Sequence, residues 1–589
     1  MKDYNFGNYL FRLRKANHLS QKELGIMLGV SNKAVSRWEN GASKPRAALL
    51  VKLSAILDTT VDALMTGGKK SVLAGNSAAA ISLHEGTLED RDNMQMNQTD
   101  KVKMNFIPKK ASPNGNYLCS WDRQAEVAKK FGITGEALSE MRDALNTQYL
   151  FNDPSLYHLY GAEFRSGLFF MLDDGWDVPY GSVHYGNEEF YGSMLPDGEK
   201  FKELGKTPLE RLINMSSKIK ELGYAGLGLW VSPNYGKTDE NGAVDYDDIR
   251  RYWEDRAEMS FQADIKYWKV DWGIFMRDLK YREIMTESCH KKAPGLFVEH
   301  AYPCGVYANY NNPERPMDKA LPAYFEYSDV FRTYDVHPPF EYTETLKRVD
   351  LLLNNKLHFK HNCKGYINVE WLSFIAAGLG LNLGIMHQNK EVEAALRWQR
   401  IAPPFGAAEA EYTRTEQELT DTHYFDHQPK GWIRFSNRYH KVSAPAIMAR
   451  NTALPKVEKI GEHQPFVIAS KSPKTGALAV AALPRTVDPD VHIKPLADVT
   501  VYPDSLNTLI GAFGVFGSLT LEYPENIPEN VVVWAQAMLS DEAIDITERV
   551  TVDSNRLTID GKDLRWFSKV NHDETETYEP SLIITIARN

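Results

Sequence analysis

Cysteine is scarce in this chain: four residues among 589, Cys119, Cys289, Cys304 and Cys363, with no Cys-x-x-Cys pair. That scarcity excludes a disulfide framework, and the scattered positions signal no zinc site. Long apolar runs are also missing. No stretch approaches the roughly 18 residues that a membrane span requires, so no membrane partner is expected. The opening MKDYNFGNYLFRLRK has neither the apolar core nor the small-residue cleavage site of a secretion signal. With no disulfide pattern either, the expectation is a cytoplasmic protein. No internal repeat is visible.

The remaining composition is that of an ordinary globular protein, 43% hydrophobic and 25% charged. At roughly 150 residues per domain the length suggests three or four domains. The net charge of −10 hides a division. Residues 1–70 hold 12 Lys and Arg against 5 Asp and Glu, which leaves 56 against 73 in the remainder. A head of +7 on a body of −17 points to two different kinds of partner, the head suited to a polyanion.

Three patterns succeed one another along the chain. Residues 1–68 read as short helices. Residues 69–115 carry small and polar residues without sustained periodicity and read as a linker. From 116 to 430 apolar strand-like runs alternate with amphipathic helical stretches, as in GLFFMLDD, PLERLINMSSKIKELG, YAGLGLWV and IKYWKVDW. Such alternation predicts a parallel (β/α)8 barrel of the TIM kind. From 431 to 589 short strands and turns (PFVIAS, GALAVAAL, ADVTVYP, SLTLEYP, NVVVWAQ, RLTIDG, SLIITIAR) predict an all-β sandwich. The fold class is therefore multidomain: an all-α head, a barrel and a β-sandwich.

In the head, NHLSQKELGIMLGVSNKAVSRWENGASKP runs from Asn17 to Pro45. Ser20 and Glu23 form a capping-box pattern before the first helix, Gly29 supplies the turn, and Ser31 caps a second helix. Leu24, Leu28, Val30, Val35 and Trp38 fall where two crossed helices would share a core. This segment resembles the helix-turn-helix of the lambda-repressor-like (XRE) family. The resemblance implies that the second helix enters the major groove of double-stranded DNA. Asn32, Lys33, Ser36 and Arg37 would then face the groove, and Gln21, Asn40 and Lys44 would lie near phosphates. It also admits a homodimer on paired half-sites.

Three segments of the body carry chemistry. Phe170-Met-Leu-Asp173-Asp174-Gly-Trp176 is an apolar run ended by two carboxylates and an indole. Those groups suit sugar hydroxyls and a sugar's apolar face, although Asp-Asp-Gly is equally a turn. Ile265-Lys-Tyr-Trp-Lys269-Val-Asp271-Trp272 puts Lys269 and Asp271 on one face of a strand. A neighbouring cation keeps a carboxylate ionised, as a nucleophile needs, and the same pair is also a common structural ion pair. Tyr327-Ser-Asp329-Val-Phe-Arg332-Thr-Tyr-Asp335-Val follows about 60 residues later and supplies a second carboxylate.

In that order, LDDGW, GSMLPDGEKF, KELGYAGLGLW, KVD and R-x-x-D resemble glycoside hydrolases of the α-galactosidase clan, families 27 and 36. The resemblance implies a retaining exo-glycosidase acting on an α-glycoside, with no metal and no organic cofactor. Asp271 would be the nucleophile and Asp335 the acid/base. Asp173, Asp174, Trp176, Trp230, Lys269, Glu299 and Arg332 would bind the substrate. Arg332 and Asp335 stand three residues apart rather than the family's four, which leaves Asp329 open as an alternative acid/base. The segment from Phe297 to Cys304 stands where the family sets specificity at the 2-position. Glu299 matches a hydroxyl ligand there, His300 and Tyr302 depart from what a plain α-galactosidase needs, and Tyr366-Ile-Asn368-Val-Glu370-Trp371 replaces the W-N-D-P-D-M run. A second functional class fits the same sequence: a sugar-responsive transcriptional regulator whose barrel senses its ligand.

Overall fold

A computed structural model of the chain describes residues 4–16, 19–28, 30–39, 43–45, 47–57, 59, 104–111, 113–130, 138–151, 162–181, 192–302, 316–333, 336, 338–425, 438–488, 491–570 and 577–588. The chain forms two compact units, residues 1–100 and 101–589.

The first unit contains α1 (Tyr4–Ala16), α2 (Gln21–Leu28), α3 (Asn32–Glu39) and α4 (Ala47–Ile56). Leu24, Leu28, Val35 and Trp38 are buried, as the spacing predicts, together with Phe6, Leu10, Leu50, Leu53 and Leu57. Val30 packs against them while partly exposed. Ser31 does cap α3, its Oγ accepting the Ala34 N–H at 3.3 Å. A Cβ on Gly25 would sit 2.8 Å from the Val30 carbonyl oxygen, so the turn closes against α2 only where a side chain is absent. Beneath the helices Arg14 donates to both Glu39 carboxylate oxygens, at 2.5 and 3.0 Å, and to the Leu19 carbonyl at 2.6 Å.

In the second unit, eight parallel strands follow one another: β1 (Tyr117–Cys119), β2 (Phe169–Leu172), β3 (Gly226–Val231), β4 (Ile265–Val270), β5 (Phe297–Ala301), β6 (Val330–Arg332), β7 (Tyr366–Asn368) and β8 (Gly384–Ile385). Neighbours in sequence pair in space, and β1 pairs with β8. The ring closes between β7 and β8 through Asn382, whose N–H reaches the Ile367 carbonyl at 2.8 Å and whose carbonyl accepts from Val369 at 3.1 Å. Every residue of β2 and β3 is buried, because these strands have side chains inside the ring and helices outside it. Each strand is followed by a helix. That after β2, Pro208–Glu221, starts with a capping box between Thr207 and Glu210 and a proline at its first position.

Two sheets of eight and five strands lie beyond the barrel and make the sandwich. All seven strand-like segments read from the sequence are strands, among them Phe466–Lys471 and Leu478–Leu483. The second of these is buried at every residue. One face receives the barrel helix Ser373–Leu379, where a Cβ on Gly378 would lie 2.7 Å from the Ile468 side chain. Arg450 ties the two layers further: its guanidinium donates to the carbonyls of Leu379, Gly380, Phe405 and Gly406 at 2.7–3.3 Å. Among the described residues no helix is long and apolar enough to cross a membrane, and Cys119, Cys289 and Cys363 are free and buried.

Candidate active site and candidate nucleic-acid interface

The C-terminal ends of parallel barrel strands form the face on which such folds carry chemistry. Most of the sequence-derived residues gather there because each closes an apolar run. Asp173 and Asp174 follow β2, Trp230 is the penultimate residue of β3, Asp271 follows β4, and Arg332 ends β6.

Lys269 inside β4 donates to Asp173 Oδ2 at 2.5 Å, and the Cys119 thiol donates to the same oxygen at 2.9 Å. Burial works against the Lys269 ammonium, yet the Asp173 carboxylate raises its pKa, so the cation is held charged. Trp230 Nε1 donates to Asp271 Oδ2 at 2.9 Å, while the Arg332 guanidinium lies 3.4 Å from Oδ1. Arg332 also donates to Glu299 at 3.0 Å and to Glu370 at 3.4 Å. Asp271 therefore sits between an indole donor and a cation, and at 8% it keeps more exposure than Asp173, Lys269, Trp230 or Arg332.

Several candidates occupy other roles than expected. Asp174 is held by Arg142, which donates to Oδ1 at 2.8 Å and also to Oδ2. Burial pushes the Asp174 carboxyl up to about 6, with Arg142 opposing. Gly175 has φ +119 and its Cβ would lie 2.7 Å from the Arg142 Cα, so the glycine of DDGW makes room for that ion pair. Trp176 is wholly buried and donates Nε1 to the Trp230 carbonyl at 2.9 Å. This corrects the expectation of a sugar-facing indole: its one N–H is spent on the barrel wall. Glu299 lies inside the ring at 0% exposure, accepting from Tyr117, Tyr267, Asn368 and Arg332 at 2.7–3.1 Å. It fixes Arg332 rather than offering a free oxygen.

The opposite parity of β5 turns His300 outward, where Nε2 meets Thr286 Oγ1 at 2.9 Å on helix Leu279–Lys292. It does not belong to the mouth. Asp329 precedes β6 and so lies at the N-terminal end of the ring, where its Oδ2 meets His290 Nε2 at 2.8 Å and the Val298 N–H at 2.9 Å. That places it at the far end from Asp271 and removes it as an alternative acid/base. Asp335 lies outside the described residues.

Sequence reasoning missed Glu370 as a member of the site. It is 2% exposed, follows β7 and adopts φ +54, a left-handed conformation that a glutamate rarely takes. It also missed Asp177, whose Oδ2 accepts the Gly192 and Met194 N–H groups at 3.1 Å each. Burial pushes that carboxyl up to about 7. An open cleft of about 740 Å³ lies on the sandwich, lined by Asp504, Asn507, Tyr523, Glu525 and Arg588, and none of the residues singled out by sequence faces it.

On the head, Asn32, Lys33 and Arg37 are exposed on α3 and Ser36 is partly so, while Val35 and Trp38 point into the core. Lys44 is exposed. Gln21 donates to Glu39 Oε2 at 2.7 Å. Asn40 and the turn residue Gly29 lie outside the described residues.

A helix-turn-helix family model matches residues 10–64. The HTH-type transcriptional activator BcrR of Enterococcus faecalis is 35% identical over 69 residues, which are 12% of this chain and 34% of that protein. The chain thus spans about a third of the length of the curated relative it matches. The P22 c2 repressor, solved in complex with a synthetic operator, is 37% identical over 10% of this chain and 94% of its own, with a TM-score of 0.10. A candidate α-N-acetylgalactosaminidase from Bacillus halodurans aligns over 83% of this chain and 100% of its own at 9% identity, with a TM-score of 0.30.

Proposed function

We propose that the barrel is a retaining exo-glycosidase for α-galactoside-like substrates and that the head binds double-stranded DNA. The observation that carries the first half is the setting of Asp271. Its carboxylate follows β4 at the barrel mouth, between Trp230 Nε1 and the Arg332 guanidinium. Both neighbours favour the charged form that attacks an anomeric carbon.

In the first step Asp271 forms a bond to that carbon as the glycosidic C–O bond breaks, and Asp335 gives its proton to the leaving oxygen. In the second, Asp335 takes a proton from water, the water oxygen bonds to the anomeric carbon, and Asp271 leaves. Asp173 and Lys269 would receive ring hydroxyls, with Trp230 and Arg332 beside the reacting centre. Asp174 acts through Arg142 as a positioning pair. A 2-fluoro glycosyl fluoride that labels Asp271 supports the assignment; an intact, unlabelled protein that nonetheless hydrolyses aryl α-galactosides sinks it.

For the head, the exposed run of Asn32, Lys33, Ser36 and Arg37 on α3 supports groove reading in a cytoplasmic regulator. The sugar-sensor reading is favoured by the joining of that head to a sugar-type site in one chain. A gel shift on the chain's own upstream DNA, with and without galactosides, separates the two: sensing requires that the sugar alter DNA affinity.

A further inference from the structure

At the end of the barrel opposite Asp271, three donor atoms of different chemistry converge. His290 comes from the last turn of helix Leu279–Lys292, Asp329 from the residue before β6, and Cys363 from the loop before β7. A ring nitrogen of His290, an Asp329 oxygen and Cys363 Sγ all lie within 4.8 Å of one another. We infer that this cluster is a binding site for one zinc-class divalent ion, with solvent as its fourth ligand.

Four observations carry the assignment. First, His290 Nδ1 lies 2.9 Å from the His361 carbonyl oxygen. A carbonyl only accepts, so the ring proton sits on Nδ1. This is the usual outer contact of a metal-bound imidazole, and it leaves Nε2 as the nitrogen that faces the cluster. Second, Nε2 makes a 2.8 Å hydrogen bond to Asp329 Oδ2, so with Nδ1 also donating the metal-free ring carries both protons, and the Cys363 thiol faces the same carboxylate. A divalent cation satisfies all three at once. A thiolate and a carboxylate together balance its charge, and the thiol and Nε2 protons go to solvent. Third, nitrogen, sulfur and oxygen donors suit zinc or cobalt, whereas magnesium and calcium take oxygen ligands. Bonds of about 2.0–2.3 Å in a tetrahedron set the ligand atoms roughly 3.3–3.8 Å apart, within reach of the observed spread by small side-chain rotations. Fourth, the chain takes an unfavourable path to make this arrangement. His361 and Asn362 both have positive φ, +52 and +63, immediately before Cys363.

Cys363 is 4% exposed, whereas the side chains of His290 and Asp329 keep 24% and 15%, so an ion enters past the imidazole and carboxylate. Of the charged groups nearby, Glu283 accepts from Lys360 at 3.0 Å and from His361 Nε2 at 3.3 Å, which leaves it engaged outside the donor set. Nothing here depends on the chemistry proposed for the mouth.

The test uses the full-length chain dialysed against chelator and titrated with Co2+ and then Zn2+. One equivalent of Co2+ should raise a near-ultraviolet thiolate-to-cobalt band, displaced by Zn2+, and Zn2+ should raise the melting temperature. C363S should lose the band, H290Q should weaken Zn2+ binding at least tenfold, and C119S, at a buried cysteine of β1, should leave both unchanged. Should C363S fail to fold, D329N serves in its place, with a shifted cobalt spectrum expected. No band in the folded wild type, or a band that survives C363S, overturns the assignment.

Discussion

Two arginines of this chain live in opposite surroundings. Arg332 is 1% exposed and makes contact with Asp271, Glu299 and Glu370. Arg37 stands in solvent on α3. The first is locked, and its charge sets the field around one carboxylate. The second is available, which is what a phosphate- or base-seeking side chain requires. The difference teaches that buried charge here positions other groups, whereas exposed charge meets a partner.

The contrast can be broken in order of expected effect. Asp271→Asn should lower turnover on the best aryl α-glycoside by on the order of 10⁴-fold while the far-ultraviolet spectrum stays native. Comparing Asp335→Asn with Glu370→Gln then tells which carboxylate is the proton donor: Asp335→Asn alone should be rescued by substrates with acidic leaving groups. Arg142→Ala should cost about 3–5 kcal/mol in urea unfolding, because it strands a buried Asp174. Arg37→Ala should move stability by less than about 0.5 kcal/mol. Its DNA affinity should nevertheless fall roughly tenfold, measured by fluorescence anisotropy at fixed salt.

A separate effect concerns pH. Asp177 binds its proton more tightly folded, at about 7, than unfolded. The native state therefore holds more protons between about pH 4 and 7, and stability declines as pH rises through that window. Asp177→Asn keeps a neutral side chain throughout. Its melting temperature should vary less between pH 5 and 8 than that of the wild type, and exceed it at pH 8.

Much of the mouth was legible because a barrel strand writes its own end: FFMLDD and KYWKVD are apolar until the strand emerges, then charged. The helix-turn-helix was legible for a similar reason, since Leu24, Leu28, Val35 and Trp38 are bound to local spacing. What failed to show was pairing across distance. Arg142 meets Asp174 from 32 residues away, and His290 meets Asp329 and the His361 carbonyl from 39 and 71. No local pattern encodes such contacts, and the metal-type cluster ran against a sequence in which cysteine spacing signalled none. Trp176 misled because an aromatic after a strand suits a sugar, while only the fold reveals that its N–H is claimed by Trp230.

Arg450 has a practical consequence for dissecting the chain. It reaches back from the sandwich to four carbonyls at Leu379, Gly380, Phe405 and Gly406. A fragment cut at residue 430 keeps those carbonyls and loses their donor, and it uncovers the helix Ser373–Leu379, buried at all seven residues. Such a fragment would present a sticky apolar face at the seam where β7 meets β8. The smallest piece fit for expressing the barrel by itself therefore carries the sandwich with it, as a lid that cannot be unscrewed.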